Sequence, residues 1–392
     1  MSKKQSSKDI MLAHSAAKVN FYQSYLERYL SVMSVTQYFD TINIFDVFCG
    51  RGEYDDGGLG SPIRAVQTIM KIKQDKPSDL KINLFLNDAE KEYVERVKKY
   101  IEEHFPDYNK YCNIKYLNYK ADQLFGDICS FVSRTATNER NFIFVDPYGY
   151  KDINRSTLQR MMSNGRTEIL LFLPISFMHR FRYYALNKED KKAQRLKVFI
   201  NEFFPPNHPV CLEEEMDVMD YIDALTEAFS FNNTYYTTNY FIERDARNYF
   251  ALFFFCNNLL GLEKAVETKW ALDSESGRGF HQQKKDANQL DMFTEWAKEE
   301  RNRNRAEVLR LKIVGFLSTR ERSNAEIYEF ILRSGYKPKH ANEVLRKLQK
   351  DDLIDVFLWD SGNKAKKGAF YVCYTHSKNR SMPKAVIGLK LR

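Results

Sequence analysis

IFDVFCGRGEYDDGGLGSP, residues 44–62, joins a buried strand to a loop that contains five glycines. Ile44, Phe45, Val47 and Phe48 read as a strand covered on both faces, yet Asp46 sits in its middle. Ser61-Pro62 then restarts the chain as a helix, with Ser61 as the expected N-cap and Pro62 pre-set for the first turn. Glycine loses more conformational entropy on folding than any other residue. Five in one loop therefore imply a mobile connection or a close approach to the backbone.

Outward from that stretch, strands alternate with helices. The strand-like runs are Ile42–Phe48, Ile82–Leu86, Ile114–Leu117, Asn141–Val145 and Glu168–Leu173. Helical patterns cover 61–73 and 90–105, and an amphipathic helix over 16–33 precedes them. This alternation predicts a parallel sheet with helices on both faces, which binds ligands at the carboxyl ends of its strands. Tyr235–Ile242 and Asn248–Cys256 are joined by only five residues, too few for a crossover, so they should form an antiparallel hairpin on the sheet edge. The stretch from about 177 to 230 reads as a helical insertion.

The chain of 392 residues has room for this large domain and a smaller one. Its net charge of +8 is unevenly distributed: residues 301–392 carry 21 basic and 9 acidic side chains, while the first 300 sum to −4. A basic C-terminal quarter is the footprint of a phosphate-binding module. The six cysteines include no C-x-x-C pair and the seven histidines are dispersed, so neither a disulfide framework nor a metal site is expected. Apolar runs such as Phe250–Phe255 are far too short to cross a membrane. The N-terminal MSKKQSSKDI lacks the apolar core of a secretory signal. A cytoplasmic protein without a membrane partner is the expectation.

The basic segment has its own pattern. Helices over 306–317, 324–333 and 339–350 precede strand-like Leu353–Trp359 and Ala369–Tyr374, which flank the turn DSGNKAKKG. Three helices and a two-stranded wing describe a winged helix-turn-helix. Lys339, His340, Asn342, Arg346 and Lys347 on the third helix would face a nucleic-acid groove, and Lys364, Lys366 and Lys367 in the wing would reach phosphates. A winged helix used for protein docking is the alternative; the charge favours DNA or RNA. The expected domains are residues 1–272, a linker and connecting helix over 273–304, and the winged helix over 305–392.

Asp46-Val47-Phe48-Cys49-Gly50-Arg51-Gly52 resembles the D-x-F-x-G-x-G motif of methyltransferases that modify nucleobases. The resemblance implies S-adenosylmethionine as cofactor, with Gly50 and Gly52 at its methionine carboxylate, Asp46 at its ammonium and Phe48 also in the cofactor site. Asp88, at the end of the second strand, would accept the ribose hydroxyls, and Asp122, after the third, the adenine amino group. Phe144-Val145-Asp146-Pro147-Tyr148-Gly149 resembles the fourth motif of amino-methyltransferases, making Asp146, Pro147 and Tyr148 the expected catalytic set. An exocyclic amine is a poor nucleophile because its lone pair is delocalised into the ring. A carboxylate and a backbone carbonyl that accept its two N–H bonds draw the nitrogen towards a tetrahedral shape for in-line attack. Tyr148 would stack on an extruded base. It replaces the usual second proline, and Asp-Pro-Tyr-Gly resembles the tRNA guanine-N2 dimethyltransferases instead. No Pro-Cys nucleophile follows the fourth strand, which disfavours a cytosine-C5 mechanism.

Across about residues 11–272 the chain resembles the three-Cys-motif partner family (TcmP), through HSAAKVNFYQSYL from His14, DVFCGRGEYDDGGLGSP, FVDPYG and NNLLGLEKAVETKW from Asn257. The resemblance implies an α/β fold with a Rossmann-like class I methyltransferase sheet, five parallel strands plus a β-hairpin. It adds Lys18, Tyr54, Gly60, Ser61 and Pro62 to the site. It also implies a partner protein with three cysteines, similar to radical S-adenosylmethionine proteins. Three readings stay open: a methyltransferase acting on an exocyclic base amine, a non-catalytic methyltransferase-like partner in defence or DNA processing, and a small-molecule or protein methyltransferase that docks through its winged helix.

Overall fold

The computed structural model describes residues 10–188, 191, 193–245, 247–281 and 292–390; the N-terminal nine residues and residues 282–291 of the expected linker lie outside the described residues. The chain divides into two compact units, one running to Thr268 and taking in residues 279 and 280, the other beginning at Lys269.

The first unit opens with helix α1 (Ala13–Met33) and then alternates β1 (Thr41–Asp46), α2 (Ser61–Asp75), β2 (Lys81–Asn87), α3 (Lys91–His104), β3 (Asn113–Leu117), α4 (Ala121–Arg134), β4 (Glu139–Val145), α5 (Arg155–Met162) and β5 (Thr167–Leu173). Four helices follow, α6 (Ile175–Asn187), α7 (Gln194–Phe203), α8 (Pro209–Leu212) and α9 (Val218–Ala228). The hairpin β6 (Tyr236–Asp245) and β7 (Asn248–Cys256), helix α10 (Leu259–Leu272) and the two-residue β8 (Gly279–Phe280) come last. Among the described residues these strands make one sheet in the order β3-β2-β1-β4-β5-β7-β6-β8. The first five are mutually parallel, β7 is antiparallel to β5 and β6, and β8 runs parallel to β6.

The register is held by amides as well as by apolar packing. Asn113, Asn83, Asn43, Asn141 and Thr167 are paired neighbours on five adjacent strands. Their side chains hydrogen-bond in a row: Asn113 donates to Asn83, Asn83 to Asn43, Asn43 to Asn141 and Asn141 to Thr167. A one-residue slip of any strand would turn its amide to the opposite face and leave its neighbours unpaired.

Helix α1 covers one face of this sheet with tyrosines at helical spacing. Tyr22, Tyr25 and Tyr29 are buried, and the first two rings lie 4.5 Å from Phe144 and 4.6 Å from Phe254. The Tyr25 hydroxyl donates to Glu168, whose carboxyl burial pushes up to about 7.

Two local expectations need correction. Gly60, not Ser61, is the N-cap of α2; Ser61 and Pro62 are its first two residues. Residues 279 and 280 of the expected linker belong to the sheet.

The second unit contains α11 (Met292–Ser318), β9 (Arg322–Ser323), α12 (Asn324–Arg333), α13 (Pro338–Lys350), β10 (Ile354–Leu358), α14 (Tyr374–Ser377) and β11 (Ala385–Leu389). The connecting helix and the first winged-helix helix are thus one continuous element, α11. Ser323 and Glu326 form a reciprocal capping box at the start of α12. Gly335, at φ +79°, lets the chain turn into α13, with Tyr336 N–H donating to Ile331 O. The return strand of the wing is not Ala369–Tyr374: β10 pairs antiparallel with β11, which also pairs with β9. Tyr371 stands at φ +56°, a backbone conformation that breaks a strand, while Phe370 and Val372 are buried as irregular chain. Buried Asn324 fastens this segment by donating to Tyr371 O and His376 O and accepting from Lys384 N and Ala385 N.

Candidate functional site

The carboxyl ends of β1 and β4 open into a cavity of about 390 Å³. Its floor and one wall come from the loop after β1. Gly50 and Gly52 adopt φ of +62° and +79°, and a Cβ on Gly52 would come within 2.9 Å of Val97. The loop then folds on itself: Glu53 bridges Leu59, Tyr54 N–H donates to Gly58 O, and Gly60 N–H donates to Gly52 O at 2.6 Å. The glycines therefore serve a tight hairpin packed against α3. Strand β2 ties it down, since the two Asp88 oxygens accept from the backbone N–H groups of Gly50 (3.0 Å) and Glu90 (2.9 Å).

Asp46, beneath this loop, is completely buried, and among the described residues neither carboxylate oxygen has a hydrogen-bond partner of good geometry, the Ser61 hydroxyl being the nearest donor. The nearby Ser61 hydroxyl favours the charged form, but burial outweighs it and raises the carboxyl to about 7; the charge of Asp146 acts in the same direction as burial. A buried carboxylate without donors is costly, so this position favours a cation or a proton.

Asp146 follows β4 directly and forms an ion pair through Oδ2 with Lys18 of α1. The two side chains are only 19% and 13% exposed. Lys18 also lies 4.7 Å from the centroid of Phe172. It sits four residues before Tyr22, so it shares the sheet-facing side of α1. The other Asp146 oxygen, Oδ1, has no protein donor among the described residues. Pro147 is buried beside it, and Tyr148, 82% exposed, stands at the rim.

Of the residues expected from sequence, Lys18, Phe48, Gly50, Gly52, Tyr54, Gly60, Ser61, Asp146, Pro147 and Tyr148 line this one cavity. Asp46 lies below it, Pro62 is buried within α2, and Asp88 holds the loop from behind. Asp122 is exposed in the first turn of α4 and does not line the cavity. Sequence reasoning did not single out Arg51, Tyr93, Phe172 and Phe250, nor a role for His14. His14 stacks on Phe250 at 5.1 Å, and Phe250 on Phe172 at 5.2 Å. Burial, with the charges of Arg244 and Lys18, lowers His14 to about 4, so it is neutral at neutral pH. A lysine and a histidine on the apolar side of an amphipathic helix were the available signal.

In the second unit, Lys339, Arg346 and Lys347 are exposed on α13, and Lys364, Lys366 and Lys367 on the wing. Lys364 pairs with Asp355 at 2.7 Å. His340 and Asn342 turn inward instead. His340 packs edge-on against Trp270 at 4.4 Å and burial lowers it to about 4, while Asn342 donates to Val372 O. Lys347 also lines a cleft of about 530 Å³ between α11 and α13, together with Arg305, Arg310, Tyr336 and Glu343.

Residues 281–361 match the family model of the GMT-like wHTH domain. The C-terminal unit is therefore a winged helix-turn-helix, a fold whose basic face is suited to nucleic acid. No curated protein matches the chain. No described helix is long and apolar enough to cross a membrane.

Proposed function

We propose that the α/β unit is a class I methyltransferase-like domain of the three-Cys-motif partner type. In this reading it uses S-adenosylmethionine to methylate an exocyclic amine of a nucleic-acid base, which the winged helix helps to recruit. The observation that carries the reading is the convergence of the glycine loop after β1 and Asp146-Pro147 after β4 on one cavity. Five parallel strands with a hairpin at one edge agree with it.

The residues present fit the methionine end of the cofactor. Buried Asp46, with two oxygens unpartnered among the described residues, is suited to an ammonium group, and Gly50 and Gly52 bring backbone without side chains to the cavity wall, the Gly50 N–H being held by Asp88. Asp88 would contribute by holding Gly50 in place, and Asp122 would contribute nothing from its exposed position. Bound S-adenosylmethionine would supply an electrophilic methyl group. Lys18 fixes Asp146 through Oδ2 and leaves Oδ1 to accept one amine N–H, while the Pro147 carbonyl is the second acceptor in this mechanism. Tyr148 is available to stack on an extruded base.

Two observations favour a second reading. The Lys18 ion pair neutralises the carboxylate that the amine chemistry would use, and Tyr148 stands where the motif has its second proline. A non-catalytic domain serving a three-cysteine partner protein would have these features. Calorimetry with S-adenosylmethionine, followed by transfer of tritiated methyl groups to mixed DNA and RNA, separates the two. The enzyme binds and transfers; binding without transfer, with the three-cysteine partner present, supports the second. A folded protein that binds no cofactor would remove both the cofactor assignment and the enzyme.

A further inference from the structure

Rings lead away from the cavity across helix α6. Two residues beyond exposed Tyr148, Tyr150 lies 6.2 Å from Phe177, nearly parallel to it, and Phe177 lies 4.8 Å from Phe181. Tyr150 is braced from behind by the edge of Phe199 at 5.7 Å. Phe177, Phe181 and Tyr184 fall at i, i+4 and i+7 and are 46%, 39% and 45% exposed, so one face of the helix presents aromatic surface to water. The opposite face is committed to the fold: Met178 and Ala185 are buried, and Arg182 donates to the carbonyls of His179, Glu213 and Glu214.

Exposed cations flank the outer part of this row. Helix α6 presents Arg180 on its exposed side and carries no acid. Exposed Arg180 reaches the Arg247 carbonyl, the charge of Arg195 acts on the Tyr150 hydroxyl, and that of Arg244 acts on His14 in the cavity. Acids act on this side as well: Asp88 and Asp146 on the Tyr148 hydroxyl, Asp217 on His179 and Tyr249, and Asp245 on His14.

We propose that the row Tyr148–Tyr150–Phe177–Phe181 is a stacking track for unpaired bases, which leads a single strand of DNA or RNA to the cavity. The end point of the track rests on the function proposed above. Aromatic faces interleaved with cations are how proteins hold single strands without reading sequence, because every base has a π-face and every phosphate a charge. The depth of the cavity requires an unpaired acceptor: Asp146 and Lys18 are largely buried, and a base held in a duplex stack cannot reach them. Tyr148 lines that cavity, and Tyr150, two residues on in the chain, meets the rings of α6.

The test uses the full chain and a single strand of about 16 nucleotides, the upper size of a compact single-strand site, carrying iodouracil. Irradiation should give adducts on residues 177–184, and an excess of duplex of the same sequence should not suppress them. Phe181→Leu should reduce the adduct yield roughly tenfold or more, whereas Phe181→Tyr, which keeps the π-face, should retain it. Absence of adducts on 177–184, or equal competition by duplex, overturns the track. So does full yield with Phe181→Leu, which would show that the strand is not held there by stacking on the ring. The adduct needs neither cofactor nor turnover. Adducts without methyl transfer would sink the enzyme and leave the track, and methyl transfer without adducts would do the reverse.

Discussion

Asp46 is completely buried with both oxygens unpartnered, while Lys366 and Lys367 of the wing stand in solvent. The same contrast runs through the two units. In the α/β unit, Lys18 and Asp146 pair where little water reaches, Glu168 is raised by burial, and His14 is held neutral. In the winged helix, the ion pairs Arg310–Glu307, Arg320–Glu326 and Lys364–Asp355 lie at the surface. Exposed pairs are screened by solvent and do little for stability, but surface cations act on a polyanion at long range. Buried charge costs several kcal/mol and is retained where another group relieves it. The first arrangement suits a ligand and chemistry; the second suits electrostatic capture.

The largest effect is expected at Asp146. Asp146→Ala should keep S-adenosylmethionine affinity and lose methyl transfer by about a hundredfold or more, the scale of removing one preorganised transition-state partner. Single-turnover rates beside calorimetry check this. Full activity in the variant would reduce the buried ion pair to a structural feature and break the contrast.

Asp46 sharpens it through pH. Burial raises the folded carboxyl to about 7, against its ordinary value of 3.8. The unfolded chain therefore binds fewer protons between those values, and the stability present below about pH 4 is lost as pH rises to about 7. Glu168, raised to about 7 for the same reason, adds to the loss in that window. Asp46→Asn should flatten its share, about 1–4 kcal/mol across the window, in urea midpoints measured at successive pH values. An unchanged slope would mean that Asp46 is not titrating there.

Smaller effects are expected on the exposed side. Charge reversal of Lys366 or Lys367 should reduce the slope of log affinity against log salt by about one unit per lost phosphate contact. Lys364→Glu should do less because Asp355 already engages Lys364. Equal effects from all three lysines would show that the ion pair does not survive binding. The smallest effect is at Asp122, in the first turn of α4. Asp122→Ala should cost about 0.3–1 kcal/mol of stability through the helix dipole and leave cofactor affinity unchanged. A loss of affinity would restore the adenine contact expected from sequence.

Local order was open to reading because its causes are local. Apolar runs located β1 to β5 within a few residues, and helical spacing located α12 and α13 to within one residue. The glycines after β1 signalled an unusual loop for a sound reason, although close self-packing was not legible in them. Partner choice across the chain was not legible either. Lys18 meets Asp146 across 128 residues, and Asp88 meets Gly50 across 38. Such pairs depend on how strands are ordered in the sheet, which no short window contains. The wing failed for the same reason. Ala369–Tyr374 has a strand's composition, but β10 pairs with β11 some thirty residues on, a competition decided only when the whole unit packs. Helix periodicity likewise identified the exposed cations of α13, whereas the inward turn of His340 required Trp270, which is 70 residues earlier in the chain and packed against it in the fold.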